Sequence, residues 1–257
     1  MRTSFGATAI TLVAALALGA AQARVAEADC KDLPDHGALQ AALNAAVTAE
    51  ASGLDFDMWG TIVDRDGVVC AVAFSGADRG AQWPGSRVIS AQKANTANAF
   101  SLDGLALSTA NLFSAVQPGG SLYGLQHSNP VDTDVAYKGP SQKYGSRNDP
   151  MVGQKIGGVN VFGGGLGLYV ADTIVGGVGV SGDTSCADHM IGWRVRDNLG
   201  LDQLAGVDGV SVDPDRPDNI VYDIIPNPGG GTGISAGGFG HPECLNTGDE
   251  TTLPPVE

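Results

Sequence analysis

Two short strings carry residue types that bind metals. Cys186-Ala187-Asp188-His189 and His241-Pro242-Glu243-Cys244 mirror one another, each setting a thiol and an imidazole three positions apart. Two thiolates and two imidazoles meet the tetrahedral preference of zinc, so Cys186, His189, His241 and Cys244 form a candidate structural zinc site clamping the chain's tail. The competing reading is a Cys186–Cys244 disulfide with the histidines incidental, and an oxidising compartment favours it. The run Asp213-Pro214-Asp215-Arg216-Pro217-Asp218-Asn219 has the acidity of a calcium loop. It lacks the central glycine and terminal glutamate of an EF-hand, and its prolines stiffen it, so it reads as an acidic turn.

Gly177-x-Gly179-x-x-Gly182 has the spacing of a dinucleotide phosphate loop, with Asp202 further on. That loop works only inside a parallel βαβ unit. Here a hairpin strand precedes it, so NAD is not expected, and the glycines are read as letting a strand pack closely against a helix. Ser181 is followed two residues later by Asp183, where a nucleophile elbow needs glycine. No catalytic residue is assigned.

The elements that would hold these residues follow from periodicity. Residues 36–51 carry Leu39, Leu43 and Val47 four apart, one apolar stripe on a helix. Residues 58–63 and 68–74 read as strands joined at Asp64-Arg65-Asp66-Gly67, a turn whose Asp-Gly supplies the positive backbone angles of a tight hairpin. Residues 88–100 and 105–116 read as helices, the second ended by Gln117-Pro118-Gly119-Gly120. Residues 159–162, 168–171 and 173–181 read as strands, the last two a hairpin about Ala171-Asp172, and 187–199 as the final helix. This order implies an α/β domain of the α+β type: a mainly antiparallel sheet of about five strands flanked by helices. Residues 129–157, with three prolines, read as an insertion loop. Residues 205–257 read as an irregular acidic Gly/Pro-rich extension, strand-like only at 220–225 and held down by a cysteine.

Residues 1–23 have the pattern of a secretory signal: Arg2, an apolar run, then Ala21-Gln22-Ala23 as a cleavage site. No later segment approaches the ~18 uninterrupted apolar residues of a membrane span. The expectation is an exported protein, periplasmic or extracellular. The net charge of −14 repels phosphate backbones and anionic lipid, which argues against nucleic-acid and membrane-surface partners. Cys30, Cys70, Cys186 and Cys244 all follow the signal, and an even count in an oxidising compartment implies two disulfides, with three pairings open.

Five blocks stand in order along the chain. They are Val63-Asp64-Arg65-Asp66-Gly67; Lys93-Ala94 with Thr96-Ala97 and Phe100; Val116-Gln117-Pro118-Gly119-Gly120 before Leu122-Tyr123-Gly124; Phe162-Gly163-Gly164-Gly165-Leu166; and Val175 to Gly182 with Asp188 beyond. Together they resemble the GlcG/HbpS-like haem-binding family, which includes the C-terminal domain of PduO, over a domain set here at 30–204. The chain departs from the family pattern at Ser75-Gly76-Ala77-Asp78, at Gly167 where proline is usual, and in its long 129–157 loop and added tail.

The resemblance implies haem held against the second helix and between subunits of a homo-oligomer. On that basis Lys93 is expected to pair with a propionate, Thr96 to offer an oxygen toward the iron, and Phe100 to cover the ring. His36 is the candidate axial ligand, since imidazole is the commonest one. Covalent attachment is not expected without Cys-x-x-Cys-His. The implied role is sequestration or sensing of haem, with slow oxidative degradation as a side reaction. The alternatives are an accessory enzyme for a small organic acid using the same groove, and a non-catalytic interaction protein.

Overall fold

The computed structural model describes residues 29–231 and 233–257. The signal reading of residues 1–23 lies outside them. Helix α1 (His36–Ala49) starts where the Asp35 carboxylate accepts from the Ala38 amide at 3.0 Å, and it buries Leu39, Ala42, Leu43 and Ala46. Strands β1 (Trp59–Asp64) and β2 (Val69–Phe74) form the first hairpin. Its turn is closed by Asp64 Oδ1, which accepts from the amides of Asp66 and Val68, and by Gly67 at φ 76°. Helix α2 (Ser86–Phe100) follows, then the one-turn helices α3 (Leu125–Ser128) and α4 (Thr133–Ala136). The second hairpin joins β3 (Gly165–Val170) to β4 (Thr173–Ser181) through Ala171 and Asp172, both at positive φ as a two-residue primed turn demands. Helix α5 (Ser185–Asn198) is capped by the Thr184 hydroxyl, and the short strands β5 (Ile224–Ile225) and β6 (Ile234–Ser235) pair in the tail.

The main sheet has the order β2-β1-β4-β3, antiparallel throughout. Helices α1 and α5 cover one face and α2 the other. The alternation of β4 decides which face is which. Val178 and Val180 enter the core beneath α1 and α5, whereas a Cβ on Gly177 would lie 2.4 Å from the Ala94 carbonyl oxygen, and one on Gly179 2.0 Å from that of Ser90. Helix α2 therefore sits directly on a strip of bare backbone. Thr61 of β1 reaches the same face and hydrogen-bonds Ser90 Oγ at 2.8 Å.

Several sequence expectations need correction. The sheet has four strands, not about five. Residues 159–162 make no ladder: the Asn160 amide donates instead to Thr96 Oγ1 of α2 at 3.0 Å, and the Phe162 amide to Asn160 Oδ1 at 3.2 Å. Val159 and Val161 are buried beside Leu107, Leu112 and Val116. Residues 105–116 form two 3-10 turns, Thr109–Leu112 and Ser114–Val116, begun by a Ser108/Asn111 capping box, rather than a helix. In the 220–225 stretch only Ile224–Ile225 is paired.

The 129–157 insertion is packed rather than draped. It buries Ala136, Asp149, Met151 and Ile156. Val69 of β2 donates to the Gln154 carbonyl at 2.9 Å and accepts from Gly153 at 2.8 Å, which covers part of an otherwise open sheet edge.

Candidate functional site

The inner face of α2 is closed by its own neighbours. Lys93 donates to Asp188 Oδ2 at 2.6 Å and to the Val180 carbonyl at 3.0 Å, and it is 1% exposed. Asp188 Oδ1 accepts from the amides of Gly182 and Asp183 at 2.9 Å each. Burial pushes the Lys93 ammonium down and the Asp188 carboxyl up, while their mutual attraction opposes both shifts. The ammonium expected to meet a propionate is thus committed to an internal carboxylate. Thr96 is similarly engaged: its hydroxyl donates to the Gln92 carbonyl at 2.7 Å and accepts from Asn160.

Phe100 and His36 lie elsewhere. Phe100, half-buried at the end of α2, packs against the cluster containing Leu107, Leu112 and Val161. His36 opens α1, which covers the opposite face of the sheet, and its Nε2 lies 2.9 Å from the Gly145 carbonyl of the insertion, an arrangement in which the ring donates. The four residues named from the resemblance do not converge on one open surface within the protomer.

The zinc alternative is corrected. Cys186 and Cys244 form a disulfide, and Cys30 and Cys70 form a second. Both thiols of the candidate cage are consumed. His241 stands beside the bond, its Nδ1 2.7 Å from the Pro242 carbonyl, which can only accept, so its Nε2 accepts from the Ser185 hydroxyl at 2.7 Å. His189 sits apart, with Nε2 3.1 Å from Asn219 Oδ1. Burial pushes each imidazole down to about 4, so both are neutral near pH 7.

Sequence reasoning missed the opposite end of α2. Arg87, fully buried, makes a two-pronged pair with Asp149 of the insertion, one arm at 2.8 Å, and donates to the Ala136 carbonyl at 2.7 Å. Its guanidinium lies 3.6 Å from the centre of the Tyr144 ring. This anchoring raises a wall opposite the turn that precedes α2. Between them lies a groove of roughly 620 Å³ lined by Trp59, Asp78, Arg79, Pro84, Tyr137 and Tyr144, among others. The volume falls within the ~300–1,000 Å³ range of small-molecule and cofactor sites. A hollow of roughly 690 Å³ beside the Cys30–Cys70 bond is lined by Asp29, Lys31, Asp64 and Asp66 and contains no aromatic side chain. The sequence signal for the groove was present in two insertion tyrosines within a locally basic stretch. Nothing in spacing alone linked them to Trp59 or Arg79.

A four-stranded antiparallel sheet, with a helix pair on one face and a glycine-seated helix on the other, defines a small α+β domain of the sheet-between-helices class. The chain belongs to the HbpS-like family: the family model described as "Haem degrading protein HbpS-like" matches residues 35–194, well over half of the chain. No curated protein matches it. Among solved structures it is similar to Klebsiella pneumoniae protein ORFY, with 25% identity over 65% of this chain and 90% of that one and a TM-score of 0.44. It is also similar to PduOC in its haem complex, with 23% identity, 63% and 90% coverage and a TM-score of 0.44. For HbpS the values are 15% identity, 65% and 90% coverage, and a TM-score of 0.38.

Proposed function

We propose that this protein is an exported haem-binding protein that sequesters or senses haem outside the cytoplasm. The observation that carries the reading is membership of a family described by haem degradation, spanning both sheet hairpins and most of α5. Two disulfides support an oxidising compartment. No helix among the described residues is long and apolar enough to cross a membrane.

A flat macrocycle needs an apolar slot with a cationic partner for its carboxylates. The inner face of α2 does not fit that need, because bare backbone meets bare backbone at Gly177 and Gly179 and Lys93 is already neutralised. In this reading Lys93 and Thr96 fix α2 in place, and Phe100 and His36 border the ring only through a second subunit or a displaced segment. The groove at the start of α2 does fit, having aromatic walls and, in Arg79, a guanidinium with no hydrogen-bond or ion-pair partner among the described residues. Bound haem would supply redox-active iron, so any slow oxidative loss of the ring draws on the cofactor's own chemistry. The chain's part is to hold the ring and shield it from water.

Hemin titration of the oxidised protein should shift and sharpen the Soret band at stoichiometric ratio. A spectrum identical to free hemin, with a thermal-shift response only to small carboxylates, would overturn the reading in favour of an organic-acid accessory protein. Light scattering with and without hemin tests the accompanying proposal of a homo-oligomer.

A further inference from the structure

We infer that the insertion of residues 129–157 builds a porphyrin site of its own, with Tyr137 taking the iron and Arg79 a ring carboxylate. The inference rests on the haem-binding reading and goes beyond it by placing the ring at the N-terminal end of α2, on residues outside the five blocks of resemblance.

The groove is held firmly on both sides. On one wall, Tyr137 is the C-cap of α4, whose start is fixed by Asp132 accepting from the Asp134 and Val135 amides. The carbonyl of Ala136, its neighbour, accepts from buried Arg87. Tyr144 rests on the same guanidinium. On the other wall, Gln82 clips the 76–82 turn by donating to the Asp78 carbonyl at 2.6 Å and accepting from the Gly76 amide at 3.1 Å. Trp59 forms the floor, 1% exposed, with its indole N–H donating to the Trp83 carbonyl at 3.1 Å. A site preassembled in this way loses little entropy when a rigid planar ligand enters.

Two groups are left over. Arg79 is exposed and makes no ion pair or hydrogen bond among the described residues, although it lines the groove. Tyr137 is 67% exposed, and its hydroxyl has no hydrogen-bond partner there. Asp78 also lines the groove, but its Oδ1 already accepts from the Gly80 amide at 2.7 Å.

The local charge agrees with an anionic ligand. In a chain of net charge −14, residues 137–147, which carry both groove tyrosines, contain Lys138, Lys143 and Arg147 and no carboxylate. Aromatic walls, one unspent guanidinium and one unspent phenol match a flat ring bearing carboxylates and a ferric centre. Guanidinium pairs with carboxylate through charge-assisted hydrogen bonds, and tyrosine is an established haem ligand. On binding, the phenol gives its proton to solvent and its oxygen to iron.

The test uses the full oxidised chain, hemin and metal-free protoporphyrin, with Arg79→Gln, Tyr137→Phe and Tyr137→Ala, all at exposed positions. Arg79→Gln should weaken both ligands by about tenfold, the loss of one charge-assisted contact. Tyr137→Phe should abolish the phenolate-to-iron charge-transfer absorption and weaken hemin while leaving protoporphyrin affinity unchanged. Tyr137→Ala should weaken both. If wild-type protein binds hemin and all three variants match it in affinity and spectrum, the site lies elsewhere and the inference fails while the haem-binding reading stands. If wild-type protein binds neither ring, both fail. Protoporphyrin bound without hemin, and lost in Arg79→Gln, would sink the iron ligation and the haem reading but uphold the groove.

Discussion

Lys93 and Asp188 join α2 to α5 around the end of β4, with Nζ and Oδ2 2.6 Å apart and neither side chain in contact with bulk water. Each charge is tolerable only because the other is there, and because the Val180 carbonyl and two backbone amides fill the remaining positions. Lys93→Met should therefore cost about 3–5 kcal/mol, since it strands a buried carboxylate. The double variant Lys93→Met/Asp188→Asn should recover part of that loss, because the asparagine oxygen can still accept from the backbone. Urea denaturation of the two variants measures both. Equal stabilities would show that the pair is not coupled.

The seat of α2 on β4 is equally specific. A methyl on Gly179 meets the Ser90 carbonyl oxygen at 2.0 Å and the Ala94 amide at 2.5 Å, and rigid backbone cannot rotate away as a side chain can. Gly179→Ala should destabilise by at least about 3 kcal/mol or prevent soluble expression. Gly85→Ala, at a helix N-cap with nothing within 4 Å of the added carbon, should change stability by less than about 0.5 kcal/mol. A wild-type melting temperature for Gly179→Ala would mean that α2 rides higher on the sheet than described.

His189 and His241 predict an acid-sensitive fold. Burial pushes both native imidazoles down to about 4, whereas the unfolded chain protonates near 6.5. Native protein thus binds fewer protons between those values. Stability is full above about pH 6.5 and is lost as the pH falls toward 4. Each histidine should account for about 2 kcal/mol between pH 7 and pH 5. His241→Gln, which can still reach Ser185, should roughly halve the slope of urea-derived stability over that interval. An unchanged slope would assign the acid sensitivity to other groups.

The Cys186–Cys244 bond spans 58 residues and pins the tail against α5. The tail also lends α5 the Asp218 carboxylate, which pairs with buried Arg196 at 2.7 and 2.9 Å, and the Pro254 carbonyl, which accepts from Trp193. Replacing both cysteines with serine should cost about 2–4 kcal/mol. It should also open residues 205–257 to limited proteolysis before the sheet unfolds. Simultaneous loss of both regions would show that the tail and the sheet form one cooperative unit.

Much of the fold was legible in particular residues. Leu39 and Leu43 marked the face of α1, Asp66-Gly67 and Ala171-Asp172 marked the hairpins, and Gly177 and Gly179 marked a strand that tolerates no Cβ. Spacing worked there because the physics is local: turn angles, helix periodicity and alternation involve residues a few positions apart. It failed at 159–162, where a β-branched run resembled a strand but its Asn160 amide donates to Thr96 of α2 and its Phe162 amide to the Asn160 side chain. It also failed at 105–116, where a capping box at Ser108 made 3-10 turns of an apolar run.

The candidate site divides in the same way. The sequence by itself determined the family, the hairpin sheet, the helices that cover it and the four cysteines available for pairing. Only tertiary structure decided that Lys93 belongs to Asp188, that the Cys186–Cys244 bond favoured over zinc is the pairing formed, and that Arg87 meets Asp149 and so raises Tyr137 and Tyr144 opposite Arg79. Those partners lie 95, 58 and 62 residues apart. No local period encodes such meetings. They are fixed by how helices and insertion settle on the sheet, where a buried charge must find its counterpart or remain in water.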